Sequence, residues 1–251
     1  MTGTLTGIYR YPVKGLSAER LDRVALTAGE TLPFDRAWAI ENGPSRFDPE
    51  NPCHLPKVAF LMLMRDERLA SLDTRFEEES QRLVLRRGGR QVAGGDLTTR
   101  SGRQIIEQFI AAFMASSLRG APRIVSASGH SFTDTAAKSV HVINLASVRE
   151  LERLAGRPVN PLRFRPNLIV DGLKPWTEFG WVGHEIAVGA VRLRVTARTE
   201  RCAATNVDPE TGARDMDIPA TLQREWRHTD FGVYAEVLTD GEIAIGASVE
   251  A

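Results

Sequence analysis

Residues 185–197 constrain the fold of this chain more than any other stretch. Ile186, Val188, Val191, Leu193 and Val195 are apolar, charged residues stand between several of them, and Gly189-Ala190 interrupts the run. A period of two turns one face of a strand to a core and the other to water. The run predicts two half-buried strands with a hairpin turn or bulge at Gly189-Ala190.

Shorter strand signals fill much of the remaining chain. β-branched and aromatic residues crowd positions 4–13, and Arg36 to Ile40 reads as a short buried strand. Leu83 to Leu85 is closed by Gly88-Gly89, and Leu168 to Val170 ends at the turn pair Asp171-Gly172. Gly94-Gly95 also reads as a turn. Val233–Leu238 and Glu242–Val249 read as two last strands joined at Asp240-Gly241. Three helices interrupt the strands. The first opens at Ser101, which fits a capping box with Gln104, and lines up Ile105, Ile106, Phe109, Ile110, Phe113 and Met114. The second covers about 146–155, stopped by Gly156 and Pro158. The third runs from Pro219 to Trp226. The expected fold is mainly β with some α, a barrel or sandwich whose helices cover its ends or mark a seam. A boundary at Ala121-Pro122 divides the chain into 1–121 and 122–251.

Composition limits the possible partners. Lys+Arg and Asp+Glu both total 32, so net charge draws the chain neither to nucleic acid nor to acidic membranes. Two cysteines cannot build a multi-disulfide framework, and Cys53 with His54 lacks the other ligands of a zinc finger. The N-terminus lacks the basic start and apolar core of a signal peptide, and no apolar run reaches the roughly 20 residues that span a bilayer. A cytoplasmic protein is expected, with no membrane partner.

Three segments carry chemistry. In Arg201-Cys202 a thiol follows an arginine between a strand-like run and a turn; Cys202 reads either as a small core residue or as a thiolate nucleophile or soft metal ligand. Arg198 and Arg201 favour the second role, and Glu200 opposes it. In Arg163-Phe164-Arg165-Pro166-Asn167, Pro166 excludes Arg165 from helical geometry, and Arg165 and Asn167 suit a phosphate-bearing site or a solvated basic loop. Lys14, before Gly15, could reach a phosphate as a point charge; Arg36 could too, unless Asp35 is simply its partner. His184 and His228 are the histidines weighed as a base for Cys202, without support from spacing.

Taken together, YPVKG at 11–15, FDRAW at 34–38, RFRPN at 163–167 and RCAATNVDPETG at 201–212 resemble the MOSC family with its accompanying N-terminal β-barrel domain. The resemblance covers nearly the whole chain. It implies a MOSC-type β-barrel packed with a smaller N-terminal barrel-like domain. It implies molybdenum–molybdopterin as cofactor, with Cys202 as the catalytic residue and metal ligand. Cofactor contacts carry over to Lys14, Gly15, Arg36, Arg165, Asn167, Arg201 and Tyr234, to Glu200 beside them, and to Lys138 and Ser139 across a gap in the match. Gly15 stands where relatives often have serine, and Glu200 where they have a small residue, with Arg198 as its expected partner. Pyridoxal phosphate binding is a further association of the family. The activity implied is oxidoreductase: reduction of N-hydroxylated or N-oxygenated small molecules with electrons from a separate protein, since no ferredoxin domain follows. The alternatives are a non-catalytic cofactor carrier or store, and a thiol sulfur carrier.

Overall fold

A computed structural model describes residues 2–43 and 47–251. The strands in the first half are β1 (Thr2–Arg10), β2 (Glu19–Leu21), β3 (Arg23–Leu26), β4 (Ala39–Asn42), β5 (Asp73–Glu77), β6 (Arg82–Arg87) and β7 (Arg90–Asp96), followed by α1 (Arg100–Phe113). The second half holds β8 (Pro122–Val125), β9 (Val140–Asn144), α2 (Leu145–Ala155), β10 (Leu168–Asp171), β11 (Glu185–Val188), β12 (Val191–Glu200), α3 (Ile218–Trp226), β13 (Asp230–Val237), β14 (Gly241–Ala244) and β15 (Ser248–Glu250).

Seven strands close a barrel in the order β1, β10, β9, β13, β12, β11, β15 and back to β1. All its pairings are antiparallel except β9 with β10. The alternation at 185–197 does what a period of two requires: Ile186, Val188, Val191, Leu193 and Val195 fill the interior with Leu5, Val142, Leu168 and Val233. The turn falls at Gly189-Ala190. The barrel is not built from the second half alone. β1 closes it, β3 pairs with β14, and β4 pairs with β8.

The first half has its own core around a three-stranded sheet, where Leu83 and Leu85 meet Ile106, Ile110 and Phe113 of α1. Gly88 and Gly89 both take positive φ in the β6–β7 hairpin, as a two-residue turn demands. Gly94 and Gly95 lie inside β7, not in a turn. A Cβ on Gly95 would stand 2.1 Å from the Gly102 carbonyl oxygen, so a bare backbone lets the first turn of α1 sit on the strand. The α1 cap is Thr99, whose side chain accepts from the Gly102 amide, and not Ser101. Ile105 lies at the margin of the apolar face and is exposed, while Ile106 and Ile110 are fully buried. α2 is capped by Asn144 and stops at left-handed Gly156. Its inner face joins α3 in a third core outside the barrel, where Phe164 and Phe231 stack at 3.8 Å.

Two other expectations differ. The strand expected from Arg36 begins at Ala39, because Phe34 and Arg36 occupy the left-handed region and fold 34–36 into a tight turn. Glu242–Val249 is two strands, since positive-φ Gly246 and a bend divide β14 from β15, and neither pairs with β13. No helix among the described residues is long and apolar enough to cross a membrane.

Candidate functional site

Cys202 stands where β12 runs out of partners. The Arg201 amide makes a last bond to the Thr229 carbonyl (2.9 Å), and the Cys202 carbonyl accepts from the Thr205 amide (3.1 Å) and hydroxyl (3.0 Å) as a 3-10 turn begins. The loop beyond is fixed from both sides. Asp208 accepts from the Glu210 and Thr211 amides and the Thr211 hydroxyl. Buried Arg163 reaches Asp208 (3.1 Å) and Asp215 (2.7 Å). Arg214 joins the Ala203 carbonyl (3.2 Å) to Met64 O (2.6 Å), Leu63 O (3.3 Å) and Glu67 (3.0 Å) across the seam.

Cys202 lines a cavity of about 430 Å³ between the barrel and the first half of the chain. Lys14, Arg36, Lys57, Arg165, Arg198 and Arg201 line it, against the carboxylates Asp134 and Glu200, so six cations face two anions. Two strained positions aim the central arginines. Arg36 and Arg165 both have φ +52, the left-handed region that non-glycine residues rarely adopt. Pro166 bars Arg165 from right-handed helix, as the sequence suggested. Both guanidinium groups rest on the ring of buried Tyr11, at 4.6 Å for Arg36 and 4.1 Å for Arg165. Arg36 is paired with fully buried Asp35 and donates to the Arg165 carbonyl at 3.2 Å. Burial works against that guanidinium's charge, but Asp35 outweighs it and raises the pKa.

Three other cations are less well compensated. Arg165 donates to the Leu16 carbonyl at 2.9 Å and Arg201 to the Phe164 carbonyl at 2.9 Å. Arg165 Nη2 and Arg201 Nε are buried without any acceptor. Burial lowers both pKa values, that of Arg165 to about 10. Burial also lowers the Lys14 pKa, opposed by Asp134 at 2.5 Å; its ammonium donates to the Phe132 carbonyl as well (2.8 Å). The Asp134 carboxyl, itself half-exposed, is held at about 2: desolvation would raise it, and the Lys14 charge and hydrogen bond overcome that.

β9 and β13 supply the remaining wall. His141 and Tyr234 are register partners with rings 5.5 Å apart. Burial, reinforced by Arg201, holds the imidazole pKa well below its ordinary value, so the ring is neutral. Burial raises the Tyr234 phenol, against the Arg201 charge, so it keeps its proton. Gly232 makes room for this pair: its φ is +77, and a Cβ there would lie 2.7 Å from His141 Nε2.

The cavity brings together Lys14, Gly15, Arg36, Ser139, Arg165, Asn167, Glu200, Arg201, Cys202 and Tyr234. Lys138 is not among them; its ammonium binds Glu30 at 2.5 and 2.6 Å on the outside. Asn167 spends its side chain on the sheet, accepting from the His141 amide and donating to the Tyr9 carbonyl, both at 3.1 Å. Arg198 pairs with Asp230 (3.9 Å) and lies over Phe179, not with Glu200. Asp35 is indeed the Arg36 partner. Sequence reasoning missed Lys57, which carries no local signal, and His141, a lone histidine whose only mark is its place inside an apolar strand; His184 and His228 lie elsewhere. Cys53 is free and exposed. Among the described residues no group of three or more His, Cys, Asp or Glu could hold a metal ion.

The family model for the MOSC domain matches residues 124–250, and that for the MOSC N-terminal beta barrel domain matches 2–117. The molybdenum cofactor sulfurase of Bos taurus is 24% identical over 271 residues, which cover 92% of this chain and 30% of that protein. The mitochondrial amidoxime-reducing component 1 of Mus musculus is 30% identical over 120 residues, 43% of this chain and 35% of the relative. Component 2 of Rattus norvegicus is 30% identical over 122 residues, 44% and 36%. The chain thus spans about a third of the length of these relatives. Among solved structures, the YUAD protein from Bacillus subtilis aligns over 100% of this chain and 95% of its own, with TM-score 0.47 and 12% identity. YiiM from Geobacillus stearothermophilus aligns over 44% and 52%, with TM-score 0.36 and 21% identity.

Proposed function

The chain belongs to the MOSC family, and on that footing we propose that it is a molybdenum-cofactor protein that reduces N-hydroxylated or N-oxygenated small molecules. The observation that carries this reading is the set of cations lining the Cys202 cavity, two of which, Arg165 and Arg201, each keep a buried N–H without an acceptor. A buried donor without a partner is costly, and a cluster of them fits an acceptor-rich anion. A pterin phosphate is such an anion. Lys14, Arg36, Arg165 and Arg201 would hold it, and the Cys202 thiolate would ligate the metal.

When bound, the cofactor supplies two-electron redox chemistry at molybdenum. The overall reaction R–NHOH + 2 H⁺ + 2 e⁻ → R–NH₂ + H₂O needs an electron donor, assigned here to a separate redox protein. The chain's own groups do the rest. The cation ring binds and orients. Arg214 holds the Cys202 loop against 63–67. Tyr234, kept protonated by burial, is the neutral hydroxyl donor at the cavity wall, while neutral His141 adds no charge beside the arginines.

The test is purification from a host that makes the cofactor, followed by a molybdenum assay and a benzamidoxime reduction assay with an artificial electron donor. Turnover that depends on Cys202 is expected. Molybdenum-loaded protein without turnover would replace the enzyme with a carrier or store. A persulfide on Cys202 after incubation with a cysteine desulfurase, with no metal bound, would replace it with a sulfur carrier.

A further inference from the structure

A second cavity, of about 350 Å³, adjoins the first. Gly15, Leu63, Arg165 and Ala204 line both, so only the thickness of these residues separates the chamber from the Cys202 cavity. The two spaces differ in chemistry. The first is ringed by cations; the second is walled by Leu16, Leu72, Leu162, Val207 and Pro209, with Tyr11 and Arg165 also in its lining. Its exposed charges are the carboxylates Asp73 and Glu210. The other cation in its lining, Arg163, is buried and already answered by Asp208 and Asp215. The exposed charge around the chamber is therefore negative.

We propose that this chamber is a second ligand site, in which Asp73 and Glu210 select apolar ligands with a cationic group over anionic ones. A flat ring of moderate size fits a space of this volume, and apolar walls reward its burial. Two carboxylates in the lining attract an amidinium, guanidinium or ammonium group and repel a carboxylate.

The probes are benzamidine and benzoate, which share a ring and differ in the sign of their charge. Isothermal titration of the full chain should find benzamidine bound about tenfold more tightly than benzoate, the scale of one charge-assisted hydrogen bond. The double variant Asp73→Asn/Glu210→Gln, two surface changes that keep side-chain shape, should shrink the preference to about threefold or less. Ser71→Trp, which fills the chamber from its lining, should weaken benzamidine about tenfold with the thermal midpoint kept. Cys202→Ser should lose molybdenum and keep the benzamidine preference. Equal binding of the two probes, a preference untouched by the double variant, or one lost with Cys202→Ser would overturn the assignment. Wild-type protein that takes up no molybdenum but still prefers benzamidine would remove the proposed reaction and leave the ligand chamber standing.

Discussion

Asp35 is the counter-charge on which the cation ring depends, and removing it gives a measurable cost. Its side chain is fully buried; it accepts the Tyr11 amide at 2.8 Å and pairs with Arg36, whose side chain is only 14% exposed. Removing one partner of a buried pair typically costs about 3–5 kcal/mol, because the other charge is left uncompensated. Arg36 keeps the Tyr11 ring and the Arg165 carbonyl, which places Asp35→Asn near the low end, at about 3 kcal/mol. Asp35→Ala also strands the Tyr11 amide and should cost a further ~1–2 kcal/mol. Urea unfolding followed by tryptophan fluorescence reads both, provided the slope with denaturant is unchanged. Phosphate supplies the internal control. The variant cavity carries one more uncompensated positive charge, so saturating phosphate should restore about 1 kcal/mol more to Asp35→Asn than to wild type. A loss below about 1 kcal/mol, or equal stabilisation of both proteins by phosphate, would refute the electrostatic reasoning.

Three other outcomes follow from the same geometry. His141 titrates in the folded state well below its ordinary 6.5, so the unfolded chain binds more protons and stability must fall as pH drops below 6.5. The difference between wild type and His141→Gln across pH 7 to 4.5 should slope by up to about 1.4 kcal/mol per pH unit; a flat difference in urea titrations would contradict the neutral, buried ring. Gly232→Ala should cost roughly 3–5 kcal/mol by the same assay, because the new Cβ would meet the Val142 carbonyl at 2.6 Å and His141 at 2.7 Å in a left-handed backbone. Arg214→Ala should lower the thermal midpoint by only ~2–6 °C, since the side chain is 35% exposed, yet should reduce molybdenum content, because the Cys202 loop loses its tie to 63–67; full metal loading in that variant would remove the positioning role.

Local pattern made most strands of the barrel legible, but not β9 (Val140–Asn144). The alternation at 185–197, the turn at Gly189-Ala190 and the α2 stop at Gly156 are encoded in neighbours; the proline after Arg165 excludes right-handed helix, but its left-handed backbone was not legible from it. What was not legible depends on contacts between distant residues. Gly94-Gly95 looks like a turn until α1 is seen resting on it, and Asp240-Gly241 looks like a hairpin until β14 is found on β3. The same holds in the site. The motif residues Lys14, Arg36, Arg165, Arg201 and Cys202 do converge, but Lys57 and His141 reach the cavity only through the closed barrel and its seam. Lys138 has the right neighbours in sequence and points to Glu30 instead.

Molybdenum content per chain, measured by elemental analysis on protein from a cofactor-competent host, tests the central claim most directly. Wild type should carry close to one metal per chain, and Cys202→Ser almost none while keeping its fold. Wild type without molybdenum, or Cys202→Ser loaded to the same level, would contradict a thiolate ligand in a cation-lined cofactor cavity.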